Sequence, residues 1–322
     1  MKLTRRRFHH LAALPLSAAL PSLTLASKPI RLIIPGPPGG ASDIMARILE
    51  PDLSRLLGQS LVIEPRPGAG GNVAAEMVAR AAPDGQTLLF GDIGPLAINV
   101  TLFPSLRFDP VKDFEPIAKV AVFPWVVAAN PGLGVRTLTE LFEVARRAPG
   151  GLAFATPGQG TPMHLTGALL SKVGAANFRH VPYKGGGPAT LDVVAGHVQV
   201  GIVGLPPAIP HIRSGGLIGI GVSTGVRAPQ LPDLPSLQEQ GLSNFDAGVW
   251  YGFLAPSGTS GAIVERISAA TREALRNPAN VESLSKRAVM PSYAPPAAFA
   301  DLIREEGKRW APLVRASGAT VE

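Results

Sequence analysis

Three glycine-rich turns, each leading into a helical pattern, constrain this chain more than any other feature of its sequence. They are Gly36-Pro37-Pro38-Gly39-Gly40, Gly68-Ala69-Gly70-Gly71 and Gly158-Gln159-Gly160-Thr161. The first turn of a helix has backbone N–H groups without partners and about half a positive charge, so it attracts an anion. Glycine lets the anion approach the backbone closely because it has no Cβ. The three turns therefore predict a binding site for a small anion.

The order of the elements predicts an α/β fold. Short apolar runs alternate with helical patterns over residues 30–102, and the same alternation begins again at residue 138 and continues to residue 223. This order is typical of βαβ units and of a mostly parallel sheet. The chain closes with two helical patterns, at residues 262–276 and 296–316. We expect these helices to pack on a sheet that the chain has already formed.

Two apolar runs, at residues 126–129 and 249–255, are expected to cross between two lobes. The first lobe would then contain residues 28–125 and 251–322, and the second residues 126–250. This arrangement predicts two doubly wound α/β lobes joined by two crossover strands, with a cleft between them. In open sheets, ligands bind at the carboxyl ends of the strands, which is where the glycine-rich turns lie.

The N-terminal residues are typical of an export signal. Thr4-Arg5-Arg6-Arg7-Phe8 follows the twin-arginine pattern, an apolar stretch comes next, and small residues end at Ala26. We interpret residues 1–26 as a signal peptide of the twin-arginine or the general secretory type, with an uncleaved anchor as the alternative. This segment has four basic and no acidic residues, so its removal lowers the net charge from +7 to +3. The remaining basic residues are scattered among acidic ones, which does not indicate a nucleic-acid partner.

Most catalytic and cofactor chemistries lack support in the sequence. The chain has no cysteine, which excludes thiol catalysis, and the four histidines after the signal lack the spacing of metal ligands. Val73 stands where a dinucleotide fingerprint needs its third glycine. Ser223 lies in a G-x-S-x-G pattern, but Pro229 and Pro232 prevent the helix that a nucleophile needs there. We expect a binding protein with no metal or cofactor, and a secreted serine hydrolase is the weaker alternative.

The predicted site combines backbone groups of the glycine-rich turns with a few side chains. Residues 39–43 are expected to face a ligand carboxylate, directly or through water. Ser42 and Asp43 are also suited to capping their own helix, and for Asp43 this structural role has at least equal weight. The full set of predicted ligand-binding residues is Gly39, Gly40, Ala41, Ser42, Asp43, Ala69, Gly70, Gly158, Gln159, Gly160, Thr161, His164 and Gly204.

The turn at residues 158–161 has the most specific local pattern. Thr161 is suited to be an N-cap, and Pro162 fits the first helical position. The Thr161 hydroxyl would serve either its own helix or a ligand. His164, one turn into the helix, is more typical of a packed or capping side chain than of a ligand contact. Contacts that set the identity of the ligand are expected from the loops at residues 92–96 and 204–207.

Taken in order along the chain, these motifs resemble the periplasmic substrate-binding proteins of tripartite tricarboxylate transporters, also called the Bug family. The resemblance covers essentially all of residues 28–322. Its marks are residues 35–43 with Ala46-Arg47, residues 67–71, Asp109-Pro110-Val111-Lys112-Asp113-Phe114, residues 158–161 with His164-Leu165, Pro182-Tyr183-Lys184-Gly185 with Pro188-Ala189, Leu234-Pro235-Ser236 and Trp250-Tyr251-Gly252.

The resemblance implies a type II periplasmic-binding-protein fold that closes on a small carboxylate, such as a di- or tricarboxylate or an aromatic acid. It implies delivery to a membrane permease of one large and one small subunit. It also implies that the loop at residues 158–161 holds one ligand carboxylate and that waters link the ligand to residues 39–43. Many relatives have an acidic residue where this chain has Ile202-Val203-Gly204, and its absence weakens the case for an amino-acid ligand. We expect a monomer in the periplasm, and a sensor that serves a signalling protein is the alternative to transport.

Overall fold

The structure, a computed structural model, describes residues 28–243, 245–319 and 321. The predicted signal peptide, residues 1–26, lies outside the described residues. The strands are β1 Ile30–Ile34, β2 Leu61–Pro65, β3 Thr87–Asp92, β4 Phe114–Phe123, β5 Trp125–Ala129, β6 Leu152–Thr156, β7 Phe178–Pro182, β8 Val200–Gly204, β9 Ile218–Val222, β10 Val249–Pro256 and β11 Met290–Ala294. The α-helices are α1 Ala41–Leu57, α2 Asn72–Ala79, α3 Asn99–Leu102, α4 Leu138–Arg147, α5 Pro162–Val173, α6 Gly186–Val194, α7 Leu205–Arg213, α8 Gly261–Arg276, α9 Pro278–Ser285 and α10 Pro296–Ser317.

These strands form two sheets. The first has the strand order β11-β4-β10-β3-β1-β2, and the second has the order β7-β6-β8-β5-β9. We call the parts of the molecule built on them the first lobe and the second lobe. Strands β1, β2 and β3 pair in parallel, as do β6, β7 and β8. The predicted α/β fold with two lobes is confirmed.

Each sheet also contains a strand that runs against its neighbours. Strand β10 is antiparallel to β3 and β4, and β5 is antiparallel to β8 and β9. Strand β11 is antiparallel to β4 as well. Three of the five strand pairings in the first sheet are therefore antiparallel, although β1, β2, β3 and β4 all run in the same direction. The reason for the reversed direction of β5 and β10 is the connection between the lobes. The chain passes from β4 through Pro124 into β5 and returns after β9 to β10, so β5 and β10 begin at the sheet edge where most of the other strands end. The two apolar runs that were expected to cross between the lobes each lie within one sheet. Residues 126–129 belong to β5 of the second sheet, and residues 249–255 belong to β10 of the first. The chain passes between the lobes just before each of these strands.

The central strands are buried on both faces because helices cover both sides of each sheet. In β1, Ile30, Leu32, Ile33 and Ile34 are fully buried, and all five residues of β6 are buried. Such strands have nearly continuous apolar runs rather than an alternating pattern. This is why they were recognisable in the sequence as short apolar runs.

The C-terminal part of the chain contains one helix more than the sequence pattern predicts. The side chain of Asn277 accepts a hydrogen bond from the N–H of Ala279 at 3.0 Å, and Pro278 occupies the first helical position of α9. This local cap starts a helix that is too short to show clear periodicity. Helix α10 packs on β4 and α8 of the first lobe, as expected, and it also contacts α5 of the second lobe. Within the described part of the chain, no helix is long and apolar enough to cross a bilayer.

Candidate ligand-binding cleft

A cavity of about 380 Å³ lies between the two lobes, at the edges where most strands of both sheets end. Its volume is within the range of small-molecule sites. The N-caps or first residues of five helices line it, namely those of α1, α2, α5, α6 and α7. Because the positive ends of these helix dipoles meet at one cavity, a small anion is the ligand class that the cavity suits.

The first glycine-rich turn brings the start of α1 to the cavity. Gly40 is the N-cap, its N–H donates to the carbonyl of Pro37 at 3.0 Å, and the helix begins at Ala41. The prediction that Ser42 is the N-cap is therefore wrong, because Ser42 lies inside the first turn, where it is buried and lines the cavity. The N–H groups of Ala41 and Ser42 lie in the first turn of the helix, so no carbonyl of a preceding helical turn accepts their hydrogen bonds. They are the donors that α1 offers to a ligand.

Asp43 has a structural role in this turn. Its carboxylate accepts the N–H of Gly39 at 2.9 Å and Nε of Arg47 at 3.0 Å, and the residue is 3% exposed. Neither Asp43 nor Gly39 lines the cavity. The amide of Gly39 is therefore engaged by Asp43, which agrees with the structural interpretation of this carboxylate.

The second turn has an unusual backbone. Gly68, Ala69, Gly70 and Gly71 all have positive φ, with values of 138°, 46°, 61° and 95°. For Ala69 this conformation is strained because its Cβ approaches the following carbonyl, and such strain is often found at functional sites. Asn99 supports the turn through a hydrogen bond from its Nδ2 to the carbonyl of Gly70 at 3.2 Å. All four turn residues line the cavity.

Thr161 caps α5 in the third turn, as predicted. Its hydroxyl accepts the N–H of His164 at 3.3 Å and donates to the carbonyl of Gly158 at 2.8 Å, and Pro162 occupies the first helical position. The hydroxyl donates its proton within the turn, so towards the cavity it can only accept one further hydrogen bond. Gly158, Gln159 and Thr161 line the cavity.

His164 lies behind this turn rather than in the cavity. Its Nδ1 accepts the N–H of Gly160 at 3.4 Å, and its ring stacks on that of His180 with the centroids 4.1 Å apart. Nε2 of His180 is 2.7 Å from the hydroxyl of Thr156. Burial lowers the pKa of His164 to about 4, and burial together with the neighbouring His164 lowers the pKa of His180 to about 3. Both rings are therefore neutral at pH 7 and support the turn by packing.

Two more helix starts complete the wall of the second lobe. Gly185 is the N-cap of α6, and a Cβ at this position would lie 2.4 Å from Cδ of Pro37 in the first lobe. Gly204 is the N-cap of α7. The N–H of Leu205 donates to the carbonyl of Pro124 at 2.9 Å, and the next two residues are prolines. Helix α7 therefore contributes shape and its dipole to the cavity, but few N–H donors.

Comparison with known proteins identifies the family. Residues 45–319 match the family described as the tripartite tricarboxylate transporter family receptor. The chain belongs to this receptor family. Protein BugT of Bordetella pertussis is 34% identical to this receptor over 313 residues, which cover 97% of this chain and 96% of BugT.

Solved structures of similar proteins share the fold of this receptor. The periplasmic binding protein BugD superposes with a TM-score of 0.88 at 28% identity, over 92% of this chain and 99% of BugD. MatC from Rhodopseudomonas palustris, solved with bound malate, superposes with a TM-score of 0.84 at 32% identity, over 89% of this chain and 98% of MatC. The predicted family and the periplasmic-binding-protein fold with two lobes are confirmed.

The receptor brings most of the predicted site residues together at the cavity. Those that line it are Gly40, Ala41, Ser42, Ala69, Gly70, Gly158, Gln159, Thr161 and Gly204. Gly39, Asp43, Gly160 and His164 do not line it, and the contacts given above place them behind the first and third turns. Among the described residues, no group of three or more His, Asp or Glu side chains is arranged to hold a metal ion.

Asp92 and Tyr251 form a polar pair that also lines the cavity of the receptor. Asp92 begins the loop at residues 92–96, from which contacts that set the ligand were expected, but its pairing with Tyr251 was not identified from the sequence. The two residues face each other across the paired strands β3 and β10. Oδ1 of Asp92 accepts the N–H of Gly94 at 2.8 Å, and the hydroxyl of Tyr251 is hydrogen-bonded to the same carboxylate. Burial raises the pKa of Asp92 to about 6 although both hydrogen bonds oppose this, and it raises the pKa of Tyr251 well above its usual value. The available signal was an acidic residue at the end of a buried apolar strand.

Ser223 of the receptor does not have the surroundings of a nucleophile. It is fully buried, its hydroxyl accepts the N–H of Trp125 at 3.0 Å, and the same hydroxyl donates to the carbonyl of Ala247 at 2.8 Å. Ser223 therefore links the two segments that connect the lobes. Trp125 and Trp250 are buried in edge-to-face aromatic contacts and do not line the cavity, which agrees with a role in core packing.

Proposed function

We propose that this receptor captures a small carboxylate in the cleft between its lobes and delivers it to a membrane permease of one large and one small subunit. The convergence of helix starts from both lobes on one cavity carries this proposal. The first turn of α1 supplies N–H donors from one side, and the third glycine-rich turn with the start of α5 faces them from the other. The malate bound by MatC, a similar receptor, supports the same ligand class.

The proposed affinity follows from the number of donors. Hydrogen bonds to a charged group contribute roughly 1.5–3 kcal/mol each. Four or five of them, shared between the lobes, give about −8 kcal/mol after the cost of ordering the ligand and the turns, which corresponds to a micromolar Kd. A cluster of arginines is not required for this affinity.

The proposed lobes are residues 28–125 with 251–322, and residues 126–250. Sheet membership closely supports this division, because β5 of the second sheet starts at Trp125 and β10 of the first sheet starts at Val249. The hinge in this proposal lies in the two connections, at Pro124 and within residues 223–248. Closure by bending at such connections brings donors from both lobes onto one ligand.

In this proposal the receptor acts in the periplasm as a monomer. Residues 1–26 direct export and are removed near Ala26, which agrees with the periplasmic location of the family. The similarity to the periplasmic binding protein BugD supports this location.

A thermal-shift screen of the mature chain with di- and tricarboxylates and aromatic acids tests the binding function. We expect at least one acid to raise Tm clearly and to bind with a micromolar or lower Kd in calorimetry. Failure of every acid in the panel to stabilise the protein would contradict carboxylate binding. Delivery is tested separately, by uptake of the stabilising acid into cells that have or lack the receptor, and equal uptake in both would contradict it.

A further inference from the structure

The cavity contains an acidic side chain, although its helix starts suit an anion. The described residues that line it include two charged side chains, Asp92 and Lys184, and Lys184 is exposed at the rim. Asp92 is only partly exposed and ends a strand at the centre of the first sheet. No arginine is present on the described cavity wall to offset its charge. A second ligand carboxylate brought next to an ionised Asp92 would be repelled.

Two hydrogen bonds favour the ionised form of Asp92, but no cation among the described residues forms an ion pair with it. The N–H of Gly94 and the hydroxyl of Tyr251 both donate to the carboxylate. Burial opposes them, and the pKa of Asp92 is about 6, so the group is mostly negative at pH 7. A partly buried negative charge is costly unless a cation pairs with it, and proteins normally pair such charges. A cationic group on the ligand would provide that partner.

The carboxylate of Asp92 lies close to the turn that is proposed to hold the ligand carboxylate. A Cβ built on Gly94 would lie 2.9 Å from Oδ1 of Asp92, 3.1 Å from the carbonyl oxygen of Gly70 and 3.6 Å from that of Gly160. Hydrogen-bond acceptors from both lobes are therefore close together at this place. Asp92 and Gly70 line the cavity, whereas Gly160 lies behind the third turn. The oxygens of Asp92 and Gly70 therefore suit an ammonium group, which has three N–H donors, and the start of α5 nearby suits a carboxylate.

We propose that Asp92 pairs with an ammonium group of the ligand, so that the receptor selects zwitterionic amino acids over acids of the same skeleton without the amino group. This inference rests on the proposed function, because the carboxylate end of the ligand still binds at the helix starts. The selectivity has a physical reason. A site that bonds a ligand N–H rejects the analogue that lacks it, because the polar groups of the site are then left unpaired.

Matched pairs of acids test the inference on the unmodified mature receptor. The pairs are L-aspartate with succinate, L-glutamate with glutarate, and L-phenylalanine with 3-phenylpropionate. Calorimetry at pH 7.5 should give a Kd at least tenfold lower for the amino acid in at least one pair. A preference for the amino acid of less than tenfold in every pair would overturn the inference. Stabilisation by other acids of the wider panel would in that case leave the proposed carboxylate binding intact, whereas failure of the whole panel would remove both.

The Asp92→Asn variant removes the negative charge of this side chain and keeps nearly the same shape. We expect it to lose the tenfold preference for the amino acid while it still binds the deaminated acid. Asp84→Asn is the matched control. Like Asp92, Asp84 accepts a hydrogen bond from the N–H two residues further on, which is that of Gln86 at 2.9 Å. Unlike Asp92, it is exposed and does not line the cavity. An Asp92→Asn protein that keeps the full preference would overturn the inference.

A pH series provides a second test that does not depend on the folding of a variant. Between pH 7.5 and 5.0 the receptor should lose affinity for the amino acid, because Asp92 gains a proton in this range. The other titratable or charged groups near it do not produce this change. Tyr251 is neutral throughout because its pKa is raised, His164 behind the third turn has a pKa of about 4, and Lys184 is exposed at the rim. An amino-acid affinity that stays constant or rises as the pH is lowered would contradict the pairing.

Discussion

The carbonyl oxygen of Gln159 lies 2.3 Å from the point at which Gly70 would carry a Cβ. Gly70 belongs to the first lobe and Gln159 to the second, so the two turns approach each other backbone to backbone across the cleft. Only a residue without a side chain permits this approach. The glycine-rich turns therefore allow the lobes to close on each other, in addition to exposing N–H groups to a ligand.

Replacing Gly70 by alanine should prevent full closure. We expect Gly70→Ala to weaken ligand binding at least tenfold, which corresponds to about 1.4 kcal/mol, because the new methyl group would collide with the Gln159 carbonyl. Gly134→Ala is the matched control. Gly134 has a similar backbone, with φ of 73° against 61° at Gly70, but nothing lies within 4 Å of its Cβ position. Calorimetry gives the affinities, and small-angle scattering with ligand should show a larger radius of gyration for Gly70→Ala alone. Equal affinities in the two variants would contradict closure through this contact.

Two changes in facing turns should weaken ligand binding together. Thr161→Ala removes a cavity-lining hydroxyl that also caps α5, and Gly40→Val adds a side chain at the start of α1, where a Cβ is 3.1 Å from the carbonyl of Pro37. We expect the double variant to lose at least tenfold in affinity for the acid that stabilises the wild type, about 1.4 kcal/mol. The controls are Thr137→Ala, which removes the cap of α4, and Gly261→Val, which changes a helix start with open space around it. An unchanged Kd in the double variant would remove the proposed site.

The stacked histidines should make the receptor less stable in mild acid. The pKa values of His164 and His180 in the folded protein, about 4 and 3, are below their ordinary 6.5, so the unfolded chain binds more protons below pH 6.5. Their contribution is complete above pH 6.5 and is lost as the pH falls from there through about 4 for His164 and about 3 for His180. Each histidine should lower the free energy of unfolding by about 3 kcal/mol between pH 7 and pH 4, and the pair by on the order of 6 kcal/mol.

Urea denaturation over this pH range measures the loss. Because the pKa of Asp92 is raised, this residue contributes with the opposite sign between about pH 4 and pH 6, so the series is best measured in the Asp92→Asn variant. NMR gives an independent check, in which the ring protons of both histidines should not shift between pH 7 and pH 5. A midpoint near 6.5 for either ring would contradict the structural role of the pair.

Removing the hydroxyl of Ser223 should destabilise the folded protein and should not abolish a catalytic activity. Ser223→Ala leaves the buried N–H of Trp125 and the carbonyl of Ala247 without this partner, which we expect to lower the free energy of unfolding by about 1–3 kcal/mol. Ser214→Ala, which removes an exposed hydroxyl bonded to the carbonyl of His211, should change stability by less than about 0.5 kcal/mol. Denaturant titration compares the two. Ester hydrolysis that Ser223→Ala abolishes would instead support the hydrolase alternative.

The sequence contained enough information for the elements and for the parts of the site that are local. Helix α4 begins at Leu138, where the second alternation of elements is expected to begin, and helix α5 begins at Pro162, as its capping pattern predicts. Thr161 is recognisable as an N-cap because its hydroxyl bonds within one turn of its own helix. Ser42 was misassigned for a related reason: a serine fits an N-cap, but the preceding glycine-rich turn ends at Gly40, and this shifts the start of the helix.

The tertiary structure decided everything that depends on contacts between distant segments. The pairing of Asp92 with Tyr251 joins β3 to a strand that returns from the second lobe, so no local pattern relates the two residues. Residues 202–204 have no acidic side chain for an ammonium group, whereas Asp92, the carboxylate proposed to bind one, ends β3. The direction of β10 and the neutral stack of His164 on His180 are likewise products of packing. Local sequence determines dihedral preferences and caps, while burial and neighbouring charges are set by the whole fold.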